Sequence, residues 1–210
     1  MNKGRPRQFD PEEALDRAML VFWEKGYRGT SLDDLTGVMG INRPSLYAAF
    51  GDKEALFIRA VDQYRGRYLG PPIRKLLEAG SLAAGLDEFF EDMAEVVVGA
   101  GHPPGCMIAC LLSEECCESE TIRSELYSSI QAADEVFARV FQAHNKELSV
   151  SVSPEQAARL LTTFLHGMSI RARAGADPIE LAGTARSFAA TMLAGSPKSG
   201  NAPEGASPAH

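Results

Sequence analysis

Apolar side chains recur along this chain at the helical period almost everywhere, and no credible strand can be read in it. Leu15, Ala18, Met19 and Phe22 fall at i, i+3, i+4 and i+7 behind Asp10–Pro11, an N-cap followed by a first-turn proline. Gly26 should end that helix. Ser31 followed by Asp34 resembles a capping box and opens a short helix with Leu32, Leu35 and Met39 inward, stopped by Gly40. Asn42 then caps a helix that Gly51 closes, and Asp52 caps a longer one with Phe57, Val61, Tyr64 and Tyr68 on one face. Residues 31–50 therefore read helix, tight turn, helix, the layout of a helix-turn-helix. On its second helix Leu46, Ala49 and Phe50 cluster on one side, whereas Arg43, Pro44, Ser45, Tyr47 and Ala48 spread across the other. Phe50 is expected in a core and Tyr47 on an exposed rim.

Beyond Gly70 the helical pattern continues. Pro71–Pro72 is expected to interrupt the chain, with a short helix to about Ala79. Leu86, Phe89, Phe90, Met93 and Val97 form the stripe of the next helix, "GAGHPPG" (99–105) reads as a loop, and a helix should start near Gly105. A long helix over about 121–146, one from Ser153–Pro154 to near Gly175 and one from Asp177–Pro178 to about Leu193 complete the set. Residues 195–210, rich in Gly, Pro, Ser and Ala, read as a disordered tail.

Charge changes the picture. The net charge of −7 argues against nucleic acid until it is divided along the chain. Residues 1–70 carry 11 Lys/Arg against 10 Asp/Glu, and residues 71–210 carry 10 against 18. A basic arm (Lys3, Arg5, Arg7) and a near-neutral head thus precede an acidic body, which permits DNA binding by the head alone. The first residues lack the apolar core of a signal peptide and no run is long enough to span a bilayer, so a cytoplasmic location is expected. No phosphate-binding loop, zinc-protease motif or dinucleotide fingerprint is present, so neither catalysis nor a cofactor is expected.

The stretch "FWEKGYRGTSLDDLTGVMGINRPSLYAAFGDKEALF" resembles the TetR family of bacterial transcriptional regulators, over roughly the first quarter to third of the chain. The resemblance rests on the order and spacing of Gly-Tyr, Thr-Ser, Leu-Tyr-x-x-Phe and Lys-Glu-x-Leu. The chain departs from the family's pattern at Asn42, Ala48 and Ala49, which bears on the bases read. The resemblance implies an all-α protein: a three-helix helix-turn-helix head joined to a larger helical bundle for ligand binding and dimerisation. The expected divisions are an arm over 1–9, a DNA-binding unit with its connector helix over 10–68, a ligand-binding and dimerisation unit over 69–194 and a tail over 195–210. The expected function is regulation, as a repressor released from a palindromic operator by a small-molecule or electrophilic effector. The competing reading is a helical small-molecule carrier or adaptor without operator binding.

Arg43, Pro44, Ser45 and Tyr47 are the candidate DNA contacts on the second helix of the motif. Ser31 and Lys53 join them because they sit at helix N-termini, where backbone donors favour a phosphate. Arg5 and Arg7 suit a narrow minor groove, or form a solvated tail. For the effector the resemblance implies a pocket, with Phe89, Met93, Cys106, Met107 and Cys110 as its candidate residues. His166, on an apolar helix, reads as a core or interface histidine. The spacing of Cys106, Cys110, Cys116 and Cys117 is not that of a zinc site, so no metal is expected. At 100° per residue Cys106, Cys110, Ser113 and Cys117 share a stripe, with Cys110 and Cys117 read as small buried hydrophobes. Cys106 follows "HPPG" at a helix start, where exposure and the helix dipole would favour a reactive thiolate. Small residues on the last two helices (Gly167, Ser169, Ala172, Ala182, Gly183, Ala185, Ala189) suggest a close-packed seam between two copies.

Overall fold

The computed structural model describes residues 9–149 and 151–193. Arg5, Arg7 and the 195–210 segment lie outside the described residues. Within them the chain is helical, without a strand; a single antiparallel bridge joins Leu148 to Leu193. No described helix is long and apolar enough to cross a membrane.

Three helices make the head: α1 (Pro11–Gly29), α2 (Leu32–Met39) and α3 (Arg43–Phe50). Each begins on the side chain expected to cap it. Asp10 accepts the Glu12 N–H at 2.9 Å, Ser31 accepts that of Asp34 at 3.0 Å while Asp34 reaches back, and Asn42 accepts that of Ser45 at 2.9 Å. The backbone leaves helical geometry at Gly26, so the straight part of α1 ends where expected. Gly40 turns α2 into α3 with φ 66°, a left-handed conformation that glycine reaches without a Cβ clash. Phe22, Leu35, Leu46 and Phe57 meet in the head's core, with Phe22 edge-on to Phe57 at 5.1 Å.

The connector α4 (Lys53–Tyr64), capped by Asp52, does not stop at Pro71–Pro72. It passes through a wide π turn (Arg65–Leu69) directly into α5 (Gly70–Glu78). The prolines do not interrupt because they fall in the first turn of α5, where no N–H is required. The π turn also carries Arg65, which reaches Glu125 at 2.5 Å and Ser129 at 2.8 Å in the body.

The body comprises α6 (Leu82–Val98), a π segment (Ile108–Leu112) leading into the short α7 (Ser113–Glu115), α8 (Glu120–Ala143), α9 (Pro154–Arg173) and α10 (Pro178–Met192). α8 packs along α9, and α6 lies against α5, α9 and α10. The helical segment near Gly105 starts at Met107: Gly105 itself takes φ 82°, and Cys106 lies just ahead of the segment. The expected cysteine stripe is corrected for a separate reason. A π turn adds a residue per turn, so the 100° phase fails across 108–112, leaving Cys106 buried, Cys110 half-buried and Cys117 exposed.

A clasp joins head to body. Arg28 pairs with the buried Glu115 at 2.9 Å and with Glu118 at 3.2 Å, and Ser119 donates to Glu54 at 2.8 Å. Arg28→Met is expected to lower the thermal midpoint, because it strands a carboxylate that is 3% exposed. The double variant Arg28→Met/Glu115→Met should recover most of that loss; a double variant as unstable as the sum of both would show the pair uncoupled.

Candidate DNA-binding face and effector cavity

The capped turn around Gly40 fixes how α3 is presented. Leu46 and Phe50 face the core at 0% and 3% exposure, and Tyr47 stands out at 48%. Arg43, Pro44 and Ala48 are exposed beside it and Ser45 is half-buried. Arg43 is held by Asp33 of α2 at 2.8 Å, an open surface pair that a phosphate could displace at little cost. The Ser31 hydroxyl is engaged in its capping box and donates to Asp34 at 2.7 Å. Lys53 opens α4, but its ammonium sits 4.3 Å over the Tyr27 ring and partial burial lowers its pKa. Reaching a phosphate would require Lys53 to leave that ring. The small side chains at 44, 45 and 48 let the α3 backbone approach a groove floor, so the face can present one guanidinium and one phenol to DNA.

The body holds a partly open cavity of ≈ 70 Å³. Phe89 and Met93 of α6 and Cys106 lie on its wall, together with Leu69 and Ile73 of the connector region. Met107 and Cys110 do not. Met107 is fully buried elsewhere, and the Cys110 thiol turns toward the Ser169 carbonyl at 3.9 Å. The premise that Cys106 is an exposed, acidified thiol is also corrected. It is 6% exposed, and burial pushes its pKa up, outweighing the donors around it. The Tyr64 hydroxyl beside it is buried outside hydrogen-bond geometry, though close enough for each group to perturb the other's ionisation.

Four polar wall residues had not been singled out as ligand contacts: Ser129, Thr162, His166 and Ser169. A signal was available, since Thr162, His166 and Ser169 stand at i, i+4 and i+7 on an otherwise apolar helix face.

Trp23 ties the head to the loop beside the cavity wall. Trp23 of α1 is fully buried, and its indole N–H donates to the Gly105 carbonyl at 2.8 Å. The ring stacks on His102 at 4.6 Å and meets Tyr64 and Tyr68 edge-on at 4.9 and 5.0 Å. Gly105 immediately precedes Cys106 on the cavity wall.

A helix-turn-helix head mounted on a helical body defines a DNA-binding regulator. The model of the bacterial regulatory proteins, tetR family, matches residues 14–60. The HTH-type transcriptional repressor ComR of Escherichia coli (strain K12) is 33% identical over 193 residues, 87% of this chain and 90% of ComR. BdcR of the same strain, also an HTH-type transcriptional repressor, is 29% identical over 87% of this chain and 88% of its own. A cysteine mutant of the TetR family transcriptional regulator CifR, complexed with 26bp double-strand operator DNA, superposes with a TM-score of 0.82 at 31% identity, over 90% of this chain and 100% of that one. The chain belongs to the TetR family, and it is a DNA-binding transcriptional regulator rather than an enzyme.

Proposed function

We propose that this protein is a cytoplasmic homodimeric repressor, released from a palindromic operator when a small molecule enters the body. The observation that carries the reading is the position of the cavity. Its wall is shared by the end of the connector, at Leu69 and Ile73, and by Cys106, next to the loop that Trp23 grips. A ligand that fits better when those walls part shifts the population toward heads spaced wrongly for successive major grooves. The relatives named as repressors and the CifR–operator complex support repression and a duplex DNA partner. The boundaries 10–68 and 69–194 serve here as the DNA-reading and ligand-reading parts, joined by one continuous helical run.

Arg43, Pro44, Ser45 and Tyr47 are assigned to the DNA, with Ser31 and Lys53 flanking them and Arg5 and Arg7 as an arm. Phe89, Met93 and Cys106 are assigned to a non-covalent effector. A gel shift on the protein's own promoter region tests the whole. A protein that binds small molecules but shifts no promoter fragment would be a carrier or adaptor. Arg43→Ala is expected to weaken operator binding about tenfold and to reduce the salt dependence by about one ion. Tyr47→Phe should weaken it about threefold to tenfold, the value of one phosphate hydrogen bond, at unchanged thermal midpoint. A Tyr47→Phe midpoint that falls as binding does would place the phenol in packing instead.

A further inference from the structure

α9 turns an apolar stripe toward α6 and α8, yet places three polar side chains along it where it meets the cavity. They are not equivalent. The Ser169 hydroxyl is occupied, donating to the Leu165 carbonyl at 2.7 Å. The Thr162 hydroxyl has no partner among the described residues, although the residue is only 4% exposed and lines the cavity. His166, one turn further on, makes no hydrogen bond among the described residues. Behind it Asp134 of α8 keeps one carboxylate oxygen buried and unpaired. Buried hydroxyls and carboxylates without partners are uncommon in native proteins, because each gives up water for nothing. The buried Thr162 hydroxyl and the half-buried His166 ring line one space, where a bound polar group would satisfy both.

The remaining wall limits what that group belongs to. Ile73, Phe89, Met93 and Phe137 make the opposite side apolar, and no described wall residue carries a fixed charge. Burial lowers the pKa of His166 against a smaller opposing pull from Asp134, so its ring is neutral near pH 7, one nitrogen donating and the other accepting. A carboxylate ligand would meet no free cation there: the Arg65 guanidinium, which reaches the wall at Ser129, is already paired with Asp62 and Glu125. A hydroxyl, which donates and accepts, can serve Thr162 and His166 together.

We infer that the cavity takes an uncharged, single-ring molecule bearing a hydroxyl, the hydroxyl between Thr162 and His166 and the ring against Phe89, Met93 and Phe137. The inference rests on the effector reading above and names the chemistry of the effector. The ≈ 70 Å³ cavity keeps the molecule small, one ring rather than several.

The test is calorimetric titration of the full-length protein with four matched probes: 4-ethylphenol, ethylbenzene, 4-ethylbenzoate and 4-ethylbenzylammonium. The phenol is expected to bind about tenfold or more tightly than the hydrocarbon, and both ions more weakly still. Thr162→Val keeps the shape, and it should bring phenol and hydrocarbon within about threefold of each other. His166→Phe should do the same, and carries the test if the valine variant fails to fold. Equal affinity for phenol and hydrocarbon, tighter binding of either ion, no binding of the phenol, or a preference that survives both substitutions would overturn the inference. A gel shift without probe separates this from the regulator reading. Operator binding that persists while the phenol fails removes only the effector class, whereas absent operator binding removes the regulator itself.

Discussion

Trp23→Ala is expected to cost about 3–5 kcal/mol of unfolding free energy, because a large aromatic side chain is lost from a site with no solvent exposure. The indole ties three parts of the chain together: α1, the aromatic face of α4 and its π turn through Tyr64 and Tyr68, and the 99–106 loop through His102 and Gly105. Trp23→Phe separates the ring from its hydrogen bond. It should cost about 1–3 kcal/mol, chiefly by leaving the buried Gly105 carbonyl without its donor. The loop has little room to adjust. A Cβ on Gly105 would stand 3.0 Å from the Cys110 sulfur and from the Ser169 carbonyl, at a φ of 82°. Gly105→Ala should therefore cost about 2–4 kcal/mol, from backbone strain and overpacking together. Urea unfolding followed by circular dichroism measures all three. If this loop relays occupancy of the cavity to the head, Trp23→Phe should also blunt effector-driven release more than it lowers operator affinity. A phenylalanine variant with parental stability and parental release would remove Trp23 from the route.

The head was legible in the sequence because its signals are local. A cap, a glycine and a 100° phase decide where Leu46, Phe50 and Tyr47 point, and none of these depends on distant residues. The body resisted where local rules compete. Pro71–Pro72 reads as a break until a π turn upstream makes those residues the first turn of a new helix segment. Cys106 reads as an exposed helix start until tertiary packing buries it beside Tyr64, and desolvation then outweighs every local influence on its thiol. His166 reads as a core residue because periodicity reports which side faces inward, and a packed core and a cavity wall face inward alike. Of the cavity candidates, Cys110 falls off the wall inside the π segment that breaks the cysteine phase, and Met107 is buried just ahead of it.

Gly167→Glu is expected to convert the protein to a monomer at micromolar concentration and to lower operator affinity by about 100-fold or more, the loss that follows when two linked heads become independent. Four of the small residues expected in a seam between copies, Ser169, Ala172, Ala185 and Ala189, are buried within the single chain, so internal packing already accounts for them. Gly167 and Gly183 are different. A Cβ on either would meet nothing within 4 Å, yet each sits inside a helix, where glycine costs about 0.8–1.0 kcal/mol relative to alanine. Nothing among the described residues of one chain repays that cost. Apolar side chains stand open around them, beside Arg171, Glu180 and Thr184: Leu160, Ile170 and Ile179 are 46%, 57% and 79% exposed, and the half-buried Phe164 and Phe188 rings stack at 4.3 Å. A second copy laid across α9 and α10 would cover these side chains and use both glycines for close helix approach. Gly167→Ala and Gly167→Glu therefore divide the possibilities. If the glycine serves only one chain, both variants should stay as folded as the parent and bind operator equally well. If it serves the seam, circular dichroism should report intact helices in both, while sedimentation finds the glutamate variant monomeric and the gel shift finds it detached from DNA. A glutamate variant that sediments as a dimer would place the interface elsewhere, because the bulk and desolvation of that carboxylate oppose close helix approach even with Arg171 one turn away.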